Sequence, residues 1–247
     1  MSKKKSLLSK VKNVSLVGAT VLSCWLTQTT KLLALPQEVI VQKLKPIPVF
    51  TIADAQGAPL IASNDQDGKV AGVFISQQDA NGFVQKLKQE NPELGKQVQV
   101  VPVSLGEIFE LSEANAKQKD AVNFAYVPSK NQVDQAKKLN NQYQAGVPLF
   151  VAKAGDEQGY LTIKQNDQEV IPFFFDQQQV EQLVESFKKS QPNLASSVKI
   201  EVVILEGILD ALKQGKDEML TKIVLWPSKE SIEFLRANAP KTEAPKK

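Results

Sequence analysis

The chain has 247 residues, 42% hydrophobic and 23% charged, enough for one large domain or two smaller ones with real cores. It contains no histidine and a single cysteine, Cys24. Those two counts exclude imidazole acid–base relays, Ser-His and Cys-His nucleophile pairs, imidazole-ligated zinc or copper sites, intramolecular disulfides and CxxC redox pairs.

Residues 1–34 read as an export segment. Lys3, Lys4, Lys5, Lys10 and Lys12 precede an apolar stretch from Val14 to Leu26, and a cleavage position falls near Ala34, ahead of Leu35-Pro36. The stretch is shorter than the roughly 20 residues of a membrane-spanning helix. An uncleaved anchor is the alternative, and a lipid-modified Cys24 is a second one. Removing the segment takes away six lysines and no acids, so the formal charge moves from +3 to about −3. A mildly acidic mature chain is not expected to bind nucleic acid.

The rest of the chain is written twice. At an offset of 100, residues 47–111 and 147–211 align without a gap and share 15 of 65 positions. Chance would give about four. The shared residues are punctuation and core: Pro48/Pro148, Phe50/Phe150, Phe74/Phe174, Val84/Val184, Pro92/Pro192, Leu105/Leu205 and Ile108/Ile208 among them. After one dropped residue, Pro128-Ser129-Lys130 recurs as Pro227-Ser228-Lys229.

In chain order each copy predicts three short strands, the third of them (Val70–Ile75, Val170–Phe175) apolar on both faces and therefore central. An amphipathic helix follows, with Ala80, Phe83, Val84 and Leu87, or Val180, Leu183, Val184 and Phe187, on its apolar face. Ser76 and Asp176 are placed to cap it, and Pro92 or Pro192 to stop it. A strand (Val98–Val103, Val198–Ile204), a short helix, a further strand (Asn123–Val127, Ile223–Trp226) and a last helix complete the unit. The expected fold is α+β (mixed α/β) and internally duplicated. Two repeats of about 100 residues are related by pseudo-two-fold symmetry, each a mixed sheet flanked by helices. The expected division is a signal peptide at 1–34, repeat 1 at 35–142, repeat 2 at 143–240 and a disordered tail at 241–247.

No catalytic, metal-binding or cofactor-binding residue is assigned. Ser129 and Ser228 read as helix N-caps rather than phosphate ligands, since no Gly-rich loop precedes either. Carboxylates are spread along solvent faces and differ between the copies, Glu107 aligning with Gly207. What the copies share is apolar. Phe50, Phe109, Leu111, Tyr126, Phe150, Phe173, Phe175, Leu209, Leu212 and Trp226 are the candidates to line grooves for an extended or unfolded polypeptide, with ordinary core as the competing reading.

The segments Ile47-Pro48-Val49-Phe50-Thr51-Ile52, Val73-Phe74-Ile75-Ser76-Gln77, Val101-Pro102-Val103-Ser104-Leu105 and Val147-Pro148-Leu149-Phe150 resemble the family of the 22-kilodalton soluble component of the Tic translocon, the chloroplast import machinery. The resemblance covers roughly residues 36–238, and the export segment makes the chain look like a cyanobacterial member. It implies a butterfly-like body with apolar pockets and a soluble protein of the periplasm, also thylakoid-associated. It further implies a chaperone-like role toward unfolded precursor or outer-membrane proteins, beside the barrel-assembly protein of the outer membrane. A docking scaffold for that protein's periplasmic domains is the alternative function. Peripheral membrane association is a further expectation, and no catalytic residues accompany the family.

Overall fold

The computed structural model describes residues 34–64, 68–116 and 118–238, together with the pair Thr20–Val21. Of the expected export segment only Thr20, Val21 and Ala34 fall within these. Cys24 and the tail 241–247 lie outside the described residues.

Two sheets form the body. In the first, β2 (Pro48–Asp54) pairs antiparallel with β5 (Val98–Ser104) along its whole length, from Pro48↔Ser104 to Asp54↔Val98. The third strand of this run, β4 (Gly68–Phe74), pairs parallel with β6 (Val122–Val127) and meets β2 at Phe50↔Phe74 and Thr51↔Val73. Where β2 and β4 diverge, β3 (Ile61–Asn64) takes the edge of β4.

The second sheet repeats this plan. Strand β7 (Pro148–Ala154) pairs antiparallel with β10 (Lys199–Ile204), and β9 (Gln168–Phe174) pairs parallel with β11 (Ile223–Trp226). The strands β7 and β9 meet at Phe150↔Phe174, and β8 (Gly159–Gln165) pairs with both farther along. The two residues Thr20–Val21 (β1) pair antiparallel with Thr162 and Leu161 of β8. Parallel pairing of β4 with β6 requires a crossover, which is supplied by the intervening helices.

Side-chain alternation along the strands sorts the core into layers. Val49, Val73 and Ile75 of the first sheet share one buried cluster with Val147, Leu149, Val151, Ile171, Phe173 and Phe175 of the second. Three helices add to this cluster: α1 (Gln37–Leu44) through Ile40 and Leu44, α4 (Leu105–Asn115) through Leu105, Ile108 and Phe109, and α7 (Leu205–Gln214) through Leu205, Leu209 and Leu212. The residues one step along each strand face the other way. Phe50, Ile52 and Phe74 pack under α2 (Gln77–Glu90), and Phe150, Ala152 and Phe174 under α6 (Gln177–Ser190). The double-faced apolar pattern of the third strands is thus answered by cover on both faces.

Local signals account for most helix ends. Ser76 accepts from the Asp79 amide at the start of α2, and Asp176 from the Gln178 amide at the start of α6. A full capping box joins Ser104 and Glu107 at the start of α4. Asn91, rather than Pro92, ends α2. Pro92 opens a second helix, α3 (Pro92–Gln97), because a proline is tolerated at a first helical position where its missing N–H has no partner. In the second half a 3-10 turn (Pro192–Ser197) stands there.

The last helix of each half crosses over. After β6 of the first sheet, α5 (Lys130–Leu139) places Ala136 and Val133 on the outer cluster of the second sheet. After β11 of the second sheet, α9 (Lys229–Ala237) places Phe234 on the outer cluster of the first. A short α8 (Met219–Lys222) precedes β11. The division near residue 142 therefore separates two runs of chain, not two cores.

Candidate binding cleft

The crossing helices also meet the helices they reach. Near the start of α9, Glu230 Oε1 accepts from the Gln78 amide of α2 at 2.7 Å. Near the start of α5, Gln132 Oε1 accepts from the Gln177 amide of α6 at 3.1 Å, and the Lys130 amide donates to Asp79 Oδ2 at 3.0 Å. A cleft of about 450 Å³ opens where these helix starts converge, with Ser76, Asp176 and Ser228 on its wall. The Gln78, Lys130 and Gln177 amides there are engaged by the side chains named, which makes it a junction between the two halves. Ser228 caps α9 through the Ser231 amide, while Ser129 makes no side-chain cap bond.

A second cleft, about 680 Å³, is apolar. Its floor is formed by Phe74 and Val127, the last residues of β4 and β6, and its walls by Phe83 of α2 and by Pro128 and Val133 on the way into α5. Phe83 is 42% exposed, and its ring lies 5.6 Å from that of Phe74. Lys86 and Lys130 stand at the rim. Lys86 approaches Glu90 at 3.5 Å and Lys130 approaches Asp79 at 4.0 Å, contacts between mostly exposed lysines that add little stability.

The matching place in the second half is lined by different residues. Trp226 stands where the first half has Val127, its ring 5.9 Å from Phe174. Gln182 stands where the first half has Gly82, and Leu183, in the place of Phe83, is buried. The cleft in the first half therefore follows from a small residue on the floor and a glycine on the wall.

The ten residues expected to line grooves fall elsewhere. Phe50 and Phe150 are fully buried beneath the outer helices, and Phe109, Phe173, Phe175, Leu209 and Leu212 belong to the shared central cluster. These seven are core, a correction with a simple cause. Apolar periodicity shows that a face needs cover, and here other helices provide it. Trp226 and Tyr126 are half-buried, and Leu111 is 51% exposed on α4, away from the cleft. Burial, then the charges of Glu206 and Glu113, push the Tyr126 phenol up to about 12. The cleft residues Phe74, Phe83, Val127 and Val133 are not among the expected ten. The one signal for them in the sequence is Val127 standing opposite Trp226 in the repeat alignment.

Fold and cleft together define a two-sheet α+β protein with crossed closing helices and an apolar cleft on one outer side. The chain belongs to the Tic22-like family, whose model matches residues 5–237. A solved structure of Tic22 from Anabaena, described under protein transport, superposes with a TM-score of 0.74 at 28% identity, over 84% of this chain and 99% of that one. Tic22 from Plasmodium falciparum shares the fold, with a TM-score of 0.62 at 22% identity, over 79% of this chain and 95% of that one. A chloroplastic TIC 22-like protein of Arabidopsis thaliana is 23% identical over 204 residues, which is 78% of this chain and 61% of that protein. The chloroplastic TIC 22 of Pisum sativum is 21% identical over 169 residues, 67% of this chain and 62% of that protein. The chain thus spans about six-tenths of the length of these curated relatives. Among the described residues, no helix is long and apolar enough to cross a membrane.

Proposed function

We propose that this chain is a non-catalytic binding factor in protein transport, shielding apolar segments of exported precursor or outer-membrane proteins. The observation that carries the reading is the apolar cleft of about 680 Å³ between α2 and the start of α5. A cleft of this size with Phe74, Phe83, Val127, Pro128 and Val133 around it admits one or two large apolar side chains of a client. The lysine-rich, apolar start of the chain supports action in the periplasm, with thylakoid association as a second location, and the Anabaena relative supports a transport role. Origin by duplication is part of the same reading, supported by the repeated strand pairings of the two halves.

The experiment is a titration of residues 35–247 with a labelled, unfolded outer-membrane β-barrel protein, alongside the folded periplasmic domains of the barrel-assembly protein. Binding to the unfolded chain that falls about tenfold in Val127→Trp, or ~1.4 kcal/mol, supports the shielding role. Binding to the folded domains alone, unmoved by Val127→Trp, replaces it with a docking scaffold.

A further inference from the structure

Strand β8 changes partners partway along. It pairs with β7 at Gly159 and Tyr160, and with β9 from Ile163 to Gln165. Between these, Leu161 and Thr162 take β1, with Val21 opposite Leu161 and Thr20 opposite Thr162. In the first half that interval is closed. All four residues of β3 pair with β4, so that Ile61 and Ala62, aligned with Leu161 and Thr162, stand opposite Ala71 and Val70. A short interval of β8 backbone is thus a place where this fold receives a strand from outside the two repeats.

The chemistry of the interval suits an added strand. Outer strands elsewhere carry the devices that discourage pairing, Pro102 in β5 and Lys199 with Glu201 in β10. The run Tyr160-Leu161-Thr162-Ile163 carries neither charge nor proline. Its occupant matches, because no charged residue falls between positions 14 and 30. Main-chain pairing gives affinity with little demand on side-chain identity, which fits a protein that meets many sequences. The three buried clusters and the side chains packed against them reach from Leu35 to Phe234, so the core is complete without residues 1–34.

We propose that the stretch 160–163 of β8 is a strand-accepting edge, which takes an extended, uncharged apolar segment of a client polypeptide, added antiparallel as Thr20-Val21 is. The inference rests on the reading of this chain as a polypeptide-binding factor, and it adds an edge built from other residues than the cleft beside Phe83. The chain's own residues 14–30 are the first segment of this kind that the edge meets. Their removal leaves it open to others.

Residues 35–247 contain no cysteine, which permits a test specific for register. Residues directly opposite in an antiparallel pair lie about 4.5–5.5 Å apart at Cα, a distance that a disulfide bridges. The probe is a peptide of residues 14–23 carrying Thr20→Cys, activated as a mixed disulfide. It should couple to the Thr162→Cys form of 35–247 at least about tenfold faster than to the Ala62→Cys form. Adding Val21→Pro to the peptide should abolish that advantage.

The unsubstituted protein gives a second reading. A fluorescein-labelled peptide 14–23 should bind 35–247 at least about tenfold more tightly than it binds the full chain, whose own strand holds the edge. It should slow amide exchange at 160–163 and leave 60–63 unchanged. An unrelated uncharged apolar peptide and an unfolded outer-membrane β-barrel protein should each displace it. Equal coupling to the two cysteine forms, or equal affinity for the two chains, overturns the strand edge. Register-specific coupling that neither competitor displaces overturns the client assignment and reserves the edge for the chain's own segment. Val127→Trp should leave the coupling unchanged, so that a failure of the cleft reading is told apart from a failure of this one.

Discussion

Gly106 lies so close beneath Val41 that a Cβ on it would stand 2.7 Å from the Val41 carbonyl oxygen and 3.0 Å from the Lys45 amide. The absence of a side chain there lets α1 settle onto α4 and drive Ile40 and Leu44 into the central cluster. The aligned residue of the other half, Glu206, instead turns its carboxylate to the Val147 amide. A side chain at position 106 would thus hold α1 away from α4.

Gly106→Ala is expected to lower stability by about 2 kcal/mol, because the Val41 and Lys45 atoms it would meet are backbone that cannot step aside without lifting α1. The unfolding midpoint in urea reads this directly. An unchanged midpoint means that α1 is not packed on α4 as described.

Phe109 and Leu209 are 4% and 6% exposed in the shared core. Phe109→Ala should cost roughly 3–5 kcal/mol and Leu209→Ala roughly 2–5 kcal/mol, as cavities in a packed interior. Chemical denaturation should show both losses. A variant of either residue that folds with native stability yet binds clients poorly returns these side chains to the role of groove lining.

Residues 35–142 and 143–238, made separately, should each lack a cooperative unfolding transition. The outer face of the first sheet needs Phe234 from α9, and that of the second needs Ala136 from α5. Mixing the two fragments should restore the transition, read by near-ultraviolet circular dichroism. Independent cooperative folding of either fragment would contradict the crossed helices.

Tyr126 provides the pH test. Its folded-state pKa is raised from 10.0 to about 12, first by burial and then by Glu206 and Glu113. The folded chain therefore holds a proton that the unfolded chain has lost in that window, and stability falls as pH rises from 10 to 12. Below pH 10 the contribution is fully present. The difference in unfolding free energy between the natural chain and Tyr126→Phe should be flat below pH 10 and slope against the natural chain above it. A flat difference throughout shows the phenol to be solvated.

Much of the fold is legible along the chain. Phe50/Phe150, Phe74/Phe174 and the Pro-Ser-Lys turns announce two runs with the same order of strands and helices, and Ala80 with Val84 or Val180 with Val184 marks the buried stripe of each outer helix. Local pattern also misleads. Phe83 continues the apolar stripe of α2, yet it is 42% exposed and lines the open cleft with Phe74 and Val127. Helix α1 is short and lies before the repeat, so the offset that organises everything after residue 47 does not reveal it.

The sequence by itself determined the class of the protein, the order of its elements, the two-faced apolar strands and the absence of histidine and disulfide chemistry. Each of these depends on residue identity or on neighbours a few positions away. Only the tertiary structure decided that α5 and α9 close each other's sheets, that seven of the ten expected groove residues are core, and that the open apolar cleft lies beside Phe83. Those outcomes depend on which face meets which, between residues as far apart as Phe50 and Phe234. Periodicity records that a face must be covered, but the packing of distant elements selects the cover.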